Sequence, residues 1–196
     1  AQKGTGKWTV EEALNTGTDA SLLASSVFAR FMSSQKEQRM AAEEAISISF
    51  TNTIENKQEL IEKIRQALYA SKIIAYAQGF DLMKNAASEH NWNLDFSSIA
   101  KIFREGCIIR ARFLNRIATA YDRDSDLANL MLDETFKSTL IDYQESLREV
   151  SVMAIQNGVS IPAFTNAIAY FDAYRQGRSN ANLIQAQRDY FGAHTF

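Results

Sequence analysis

The sequence predicts an all-α fold, a multi-helix domain around a long buried central helix with a C-terminal tail. Two compositional facts and one pattern carry that expectation. Only one Pro and eight Gly interrupt 196 residues, and Ala, Leu, Gln, Glu and Lys, all good helix formers, are abundant between them. Apolar residues recur at spacings of three and four, the period of a helix with one buried face. A hydrophobic fraction of 46% is enough for a substantial core in one domain. No run of about 18 apolar residues occurs and no basic-then-apolar leader opens the chain, which predicts neither a membrane span nor a secretory signal. The single Cys107, flanked by Gly106 and by Ile108-Ile109, reads as a buried thiol in a reducing cytoplasm. A formal net charge of -2 gives no global pull toward nucleic acid, so any anion site must be local.

Taken in order, residues 1 to 8 (Ala1-Gln2-Lys3-Gly4-Thr5-Gly6-Lys7-Trp8) form a basic, glycine-rich loop able to offer N–H and ammonium groups to an anion, though without the spacing of a P-loop. Its alternative is a plain basic terminus. Thr9-Val10-Glu11-Glu12 has capping-box spacing and predicts a short helix that starts there and ends at Gly17, with Lys3, Thr5 and Lys7 just before it. Leu22, Leu23, Ser26, Val27, Arg30 and Phe31 predict the next helix, to about Ser33. Arg30 on that stripe reads as a side chain snorkelling to water or as a cation held in a cleft. Ser34-Gln35-Lys36-Glu37 is a second capping box, and Ile46 to Thr53 reads as an extended connector.

One long helix is predicted from about Asn56 to Asn91. It is apolar on nearly all sides between Ile73 and Ala77, so other helices should surround it there, with Ala75 and Gly79 small enough for neighbouring backbones to approach. His90, at its end, is read as a group near the last carbonyls with no catalytic role. Asp95 caps the following helix, whose inner face is predicted as Ile99, Ile102 and Phe103, up to Gly106. Arg110, Arg112 and Arg116 then alternate with apolar residues, and the nearby Asp122, Asp124 and Asp126 favour pairing within the chain over a nucleic-acid surface. A long helix from Asp133 to Asn157 closes at Gly158. Another begins at Ile161-Pro162 with Phe164, Ile168, Phe171 and Tyr174 on its apolar side, and Arg175 to Asn180 loops into a tail helix from near Asn182.

The chemistry present is mostly cationic. Two distant His and no Cys pair predict no metal site, no dinucleotide fingerprint follows a strand, and no Cys or Ser nucleophile has a convincing His partner. What remains is the Lys3 to Lys7 loop, Arg30, and a tail (Leu183 to Phe196) that packs Arg188, Tyr190, Phe191 and His194 around Gly192. Arg188 and His194 would stand about 120° apart on an unbroken helix. Gly192, tolerant of the left-handed conformation, is expected to turn the chain back and let both converge on one anion; the alternative is a frayed end.

Lys3-Gly4-Thr5-Gly6-Lys7-Trp8-Thr9, Val27-Phe28-Ala29-Arg30, Tyr76-Ala77-Gln78-Gly79-Phe80, Gly106-Cys107-Ile108-Ile109-Arg110 and Leu183 to Thr195 together resemble the C-terminal domain of decarboxylating 6-phosphogluconate dehydrogenase over essentially the whole chain. The resemblance implies a cytoplasmic, NADP-dependent oxidoreductase of the pentose phosphate pathway and gluconate utilization, which converts 6-phosphogluconate to ribulose 5-phosphate and carbon dioxide. It implies a homodimer whose all-helical part is residues 1–182, with a tail, 183–196, that reaches the partner subunit. It makes Lys3, Thr5 and Arg30 substrate-binding, and makes Arg188 and His194 contributions to the partner's site. The family's general base Lys, general acid Glu and dinucleotide-binding domain lie upstream, so no catalytic residue is expected here and the chain alone should lack turnover. The family's tail commonly runs past the point where this one ends, which leaves further cofactor contacts unassigned. A competing reading is a helical dimerisation domain without catalytic function.

Overall fold

A computed structural model describes residues 4–50, 54, 56–104 and 111–195. Among them no strand occurs. The helices are α1 (Thr5–Asn15), α2 (Ser21–Ser34), α3 (Lys36–Ala45), α4 (Lys57–His90), α5 (Phe96–Ile102), α6 (Arg112–Arg123), α7 (Glu134–Gln156), α8 (Pro162–Tyr174) and α9 (Ala181–Gly192), with a 3₁₀ turn at Leu130–Leu132 before α7. The fold class is the one the sequence predicts, and α4, 34 residues long, is its axis. Asn56 caps its start by accepting from the Glu59 N–H, and Asn91 ends it in the left-handed region at φ 56°.

α4 packs most extensively against α7 and also touches α8, α2, α1 and the 3₁₀ turn; α2 lies on α8 and α1, and α5 on α6. Ile73 and Ile74 of α4, Leu114 and Ile117 of α6, Leu130, and Phe136, Leu140 and Leu147 of α7 are fully buried where these elements meet. Each such side chain contributes roughly 1.5–3 kcal/mol by leaving water. The caps follow their chemistry. Asp133 accepts from the Thr135 and Phe136 N–H groups at the head of α7, and Gly158 at φ 67° closes it, with Val159 N–H bonded to Ala154 O at 2.8 Å. Phe50 of the connector before α4 sits so close to Gly158 that a Cβ there would lie 2.5 Å from its ring. Pro162 opens α8.

Several local expectations need correction. α1 begins at Thr5, one turn before the capping box, because Gly4 at φ 89° starts it; the Thr9 hydroxyl donates back to Thr5 O at 2.8 Å and caps nothing. Thr5 and Lys7 therefore lie inside α1. Ser34 donates to Phe31 O and leaves α3 without a side-chain cap. Ala75 and Gly79 face an open apolar groove of about 320 Å³ with Leu23, Tyr76, Phe80, Met83 and Phe103, and nothing lies within 4 Å of a Cβ added to Gly79. Of the expected inner face after Asp95, Ile99 and Phe103 pack on the core and Ser97 and Ala100 turn inward beside them, while Ile102 is 70% exposed. On α8, Phe164, Ile168 and Phe171 pack on the core as expected, beside the more deeply buried Ala167 and Tyr170, and only Tyr174 of the expected apolar side is exposed.

The arginine pairing also differs. Asp122 takes Lys101 at 3.3 Å, Arg123 pairs with Asp133, and Arg116 donates to the Tyr69 hydroxyl at 2.7 Å. Arg112 precedes Asp122 by ten residues, about 15 Å along the helix, and Arg116 by six, about 120° around it, so neither is placed to pair with it. Arg110, Gly106 and Cys107 lie outside the described residues.

One ion pair ties α7 to α8: Arg148 holds Asp172 through two hydrogen bonds, 2.6 and 2.9 Å, and Arg175 adds a third at 3.0 Å. The Arg148 guanidinium first, then burial in opposition, then Arg175 set the Asp172 carboxyl, which ends below its ordinary range. A depressed folded-state value means that the pair's stabilisation is present above pH about 4, the unfolded value, and is lost as pH falls through the folded one. The partly exposed setting keeps its size modest. Asp172→Asn should accordingly lower Tm at pH 7, with a deficit that shrinks steadily as pH falls below about 4 in thermal melts; a deficit that does not change with pH would discount the pair.

Candidate anion-binding site

The head of α1 and the middle of α2 come together on one side. Gly4 offers no side chain, so the N–H groups of Thr5, Gly6 and Lys7 at the start of α1 have no acceptor within the helix and no cap. Such a terminus carries partial positive charge and suits an anion. Gly6 rests on α2, where an added Cβ would meet Val27 Cγ2 at 2.9 Å. Arg30 follows Val27 by three residues and so continues the same face of α2 one turn beyond the contact. The Arg30 side chain is exposed and takes no hydrogen bond or ion pair among the described residues, whereas Lys7 is held 3.2 Å from Glu11. Of the sequence-predicted residues, Thr5 and Arg30 are thus brought to one side of the molecule. Lys3 lies outside the described residues.

The tail residues are placed separately. α9 has no buried residue and packs closely on no other helix among the described residues. Its left-handed residue is Ala193 at φ 51°, not Gly192, which is the last residue of the helix. Gly192 has a different role. The His194 ring folds back over it, so that an added Cβ would lie 2.7 Å from His194 Nε2. The imidazole therefore takes the place a side chain at 192 would occupy, and that place lies four residues beyond Arg188 on the same face. The His194 ring is thus carried to the side of α9 on which position 188 lies, by a route the sequence does not predict. The bend is fastened by Ala193 N–H to Asp189 O at 2.7 Å, by Thr195 N–H to the Asp189 carboxylate at 2.8 Å, and by Gln185 to Thr195 O. Beside that polar edge runs an uncovered apolar stripe of Leu183, Ile184, Tyr190 and Phe191, the last two 86% and 76% exposed.

Within the chain no hydrogen bond or ion pair joins Thr5 or Arg30 to Arg188 or His194 among the described residues. The two pairs of residues therefore lie on different parts of the chain, one on the helical body and one on the α9 arm. His90 stacks on Trp92 at 4.7 Å and stands 3.8 Å from Glu12, away from both in its contacts. Among the described residues no group of three or more His, Cys, Asp or Glu side chains is arranged to hold a metal ion. No helix among them is long and apolar enough to cross a membrane.

Sequence reasoning overlooks Gln78. This amide is fully buried in α4, and its Oε1 accepts from the Leu22 and Leu23 N–H groups at 3.1 and 3.3 Å while Nε2 donates to Ser21 Oγ at 3.2 Å. The available signal was a single amide inside a turn otherwise apolar on all sides, since a buried amide requires partners.

A family model described as 6-phosphogluconate dehydrogenase, C-terminal domain, matches residues 1–196. The decarboxylating 6-phosphogluconate dehydrogenases of Shigella boydii and Escherichia coli (strain K12) are each 53% identical over 196 residues, which is all of this chain and 44% and 42% of theirs. The chain is also similar to a solved structure of Plasmodium falciparum 6-phosphogluconate dehydrogenase, described in its apo form, in complex with its cofactor NADP+ and in complex with its substrate 6-phosphogluconate. That match has a TM-score of 0.95 at 40% identity and covers 100% of this chain and 42% of that one. This chain spans less than half the length of these relatives.

Proposed function

The chain belongs to the 6-phosphogluconate dehydrogenase family as its C-terminal domain, and from this we propose that it is the substrate-binding and dimerisation part of an NADP-dependent enzyme that oxidatively decarboxylates 6-phosphogluconate to ribulose 5-phosphate. Residues 1–182 form the helical body and residues 183–196 an arm that completes the site of a partner subunit in a cytoplasmic homodimer. The observation that carries this reading is the Arg188/His194 edge on an arm that has no buried residue and whose apolar stripe is uncovered among the described residues. Further uncovered apolar surface supports association. Ile61, Ile64 and Leu68 of α4 and Val152, Met153 and Ile155 of α7 are exposed, and Ile64 and Met153 line a cleft of about 490 Å³.

Each residue then has a role in holding a sugar phosphate. Arg30 presents paired donors to the phosphate dianion, Lys3 and Thr5 bind substrate beside the open N–H groups of α1, and Arg188 and His194 of the arm neutralise charge and donate to substrate oxygens. When bound, NADP supplies the hydride acceptor, held mainly by a dinucleotide-binding domain outside residues 1–196. The acid and base also lie outside, so this chain orients the substrate and neutralises its charge and does not turn over alone. In the full-length protein, Arg30→Met should raise the KM for 6-phosphogluconate by roughly 10- to 100-fold, as expected for losing a charge-assisted contact of about 1.5–3 kcal/mol, with the KM for NADP little changed. An unaltered KM for the sugar phosphate in steady-state kinetics would remove Arg30 from the site.

A further inference from the structure

We infer that Gln78 is the positioning residue for Arg30, setting where along and around its axis α2 sits against α4. The inference rests on the assignment of Arg30 to the substrate phosphate. α2 has no cap of its own, because its N-cap residue is Ala20. Its first-turn N–H groups must find acceptors elsewhere. Asp19 takes the Ser21 N–H at 2.9 Å, and Gln78 of α4 takes those of Leu22 and Leu23. Two N–H donors converging on one oxygen also settle which end of the amide is oxygen. The third bond, from Nε2 to Ser21 Oγ, completes a clamp on three consecutive residues of the first turn.

A single contact would leave α2 free to roll, but three contacts at adjacent residues fix rotation and translation together. The centre of the clamp is also dry, the bond from Leu22 being buried and the other two part-buried. Gln78 and Leu22 are buried, so water cannot take over the bond between them if the helix slips. The other polar tie from α2 toward α8, Ser25 Oγ to Pro162 O, is long at 3.4 Å. Arg30 stands eight residues past Leu22 on the same helix, about 12 Å along it, and a helix transmits axial displacement almost undiminished over that length. A slip of about 1 Å at the clamp becomes a comparable displacement of the guanidinium, which is enough to spoil a bidentate phosphate contact.

The test uses the full-length protein and five variants. Gln78→Met keeps the volume and removes all three bonds; it should raise the KM for 6-phosphogluconate about tenfold and leave the KM for NADP unchanged. Gln78→Glu, which can accept from Leu22 and Leu23 N–H and from the Ser21 hydroxyl, should stay within about twofold of the parent. In an Arg30→Met background, Gln78→Met should add no further rise, because the group it positions is gone. Should Gln78→Met fail to fold, Gln78→Asn shortens the reach while keeping the amide, and the same selective rise is expected. A fall in Tm with both KM values unchanged, or equal losses for substrate and NADP, overturns the inference and leaves Gln78 a stability residue. If Arg30→Met itself has normal KM, the site assignment fails and this inference with it; if only Gln78→Met is normal, the inference alone fails.

Discussion

Arg188→Met in the full-length protein should raise the KM for 6-phosphogluconate roughly 10- to 100-fold, the equivalent of one lost charge-assisted contact, with the KM for NADP within about twofold of the parent. The more telling result comes from mixing. When Arg188→Met and Arg30→Met chains are coexpressed in equal amounts, half of the dimers should be mixed. If the arm completes the partner's site, each mixed dimer holds one site with both arginines and one with neither, so about a quarter of the parent activity should return. An arm that serves its own subunit would give two singly damaged sites in every mixed dimer and no recovery. Absence of recovery, with mixed dimers verified by differential tagging, would end the proposal of arm exchange.

Phe136→Ala is expected to have the largest effect on stability. Phe136 is fully buried in the first turn of α7, its ring centroid 5.3 Å from that of Phe113, which in turn lies 5.7 Å from Tyr69 and 5.1 Å from Tyr76. Its N–H is one of the two groups that Asp133 caps. Removing the ring opens a cavity where α4, α6 and α7 meet and should cost about 3–5 kcal/mol, a fall in Tm of roughly 6–20 °C for a chain of this length. Ile102→Ala, at an exposed position on α5, should stay within about 0.5 kcal/mol. A loss below about 1 kcal/mol for Phe136→Ala in chemical denaturation would mean that this junction is not the core.

The helix boundaries most legible in the sequence are those where a side chain has one good use. Asn56, Asp133, Pro162 and Gly158 each stand at a helix end and act there as their chemistry suggests. The start of α1 was not legible, because Thr9-Val10-Glu11-Glu12 satisfies a capping pattern while Gly4, with no side chain to read, already supplies the start in its backbone. Composition at Ala75 and Gly79 shows that a backbone is able to approach, not that one does, and in this chain the groove is open. The cations were legible as a set, whereas the contact of Gly6 on Val27, which sets the head of α1 beside the face that carries Arg30, was not. Gln78 stayed hidden because its partners are 55 to 57 residues away. No helical period reports on such a distance.

The bend at the end of α9 is made by Ala193 and Thr195, both at positive φ, where residues with a Cβ are disfavoured by roughly 1–2 kcal/mol. Gly192, the residue that would adopt such a conformation freely, is spent on making room for an imidazole. The turn therefore sits off its local optimum, held by the bonds from Gln185 and to Asp189 against the preferences of its own residues. For protein engineering this is a reserve: glycine at 193 is a route to a more readily formed arm that leaves Arg188 and His194 untouched. For sequence drift it is a constraint, because Asp189 and Gln185 are free to vary only as far as the bend can do without them.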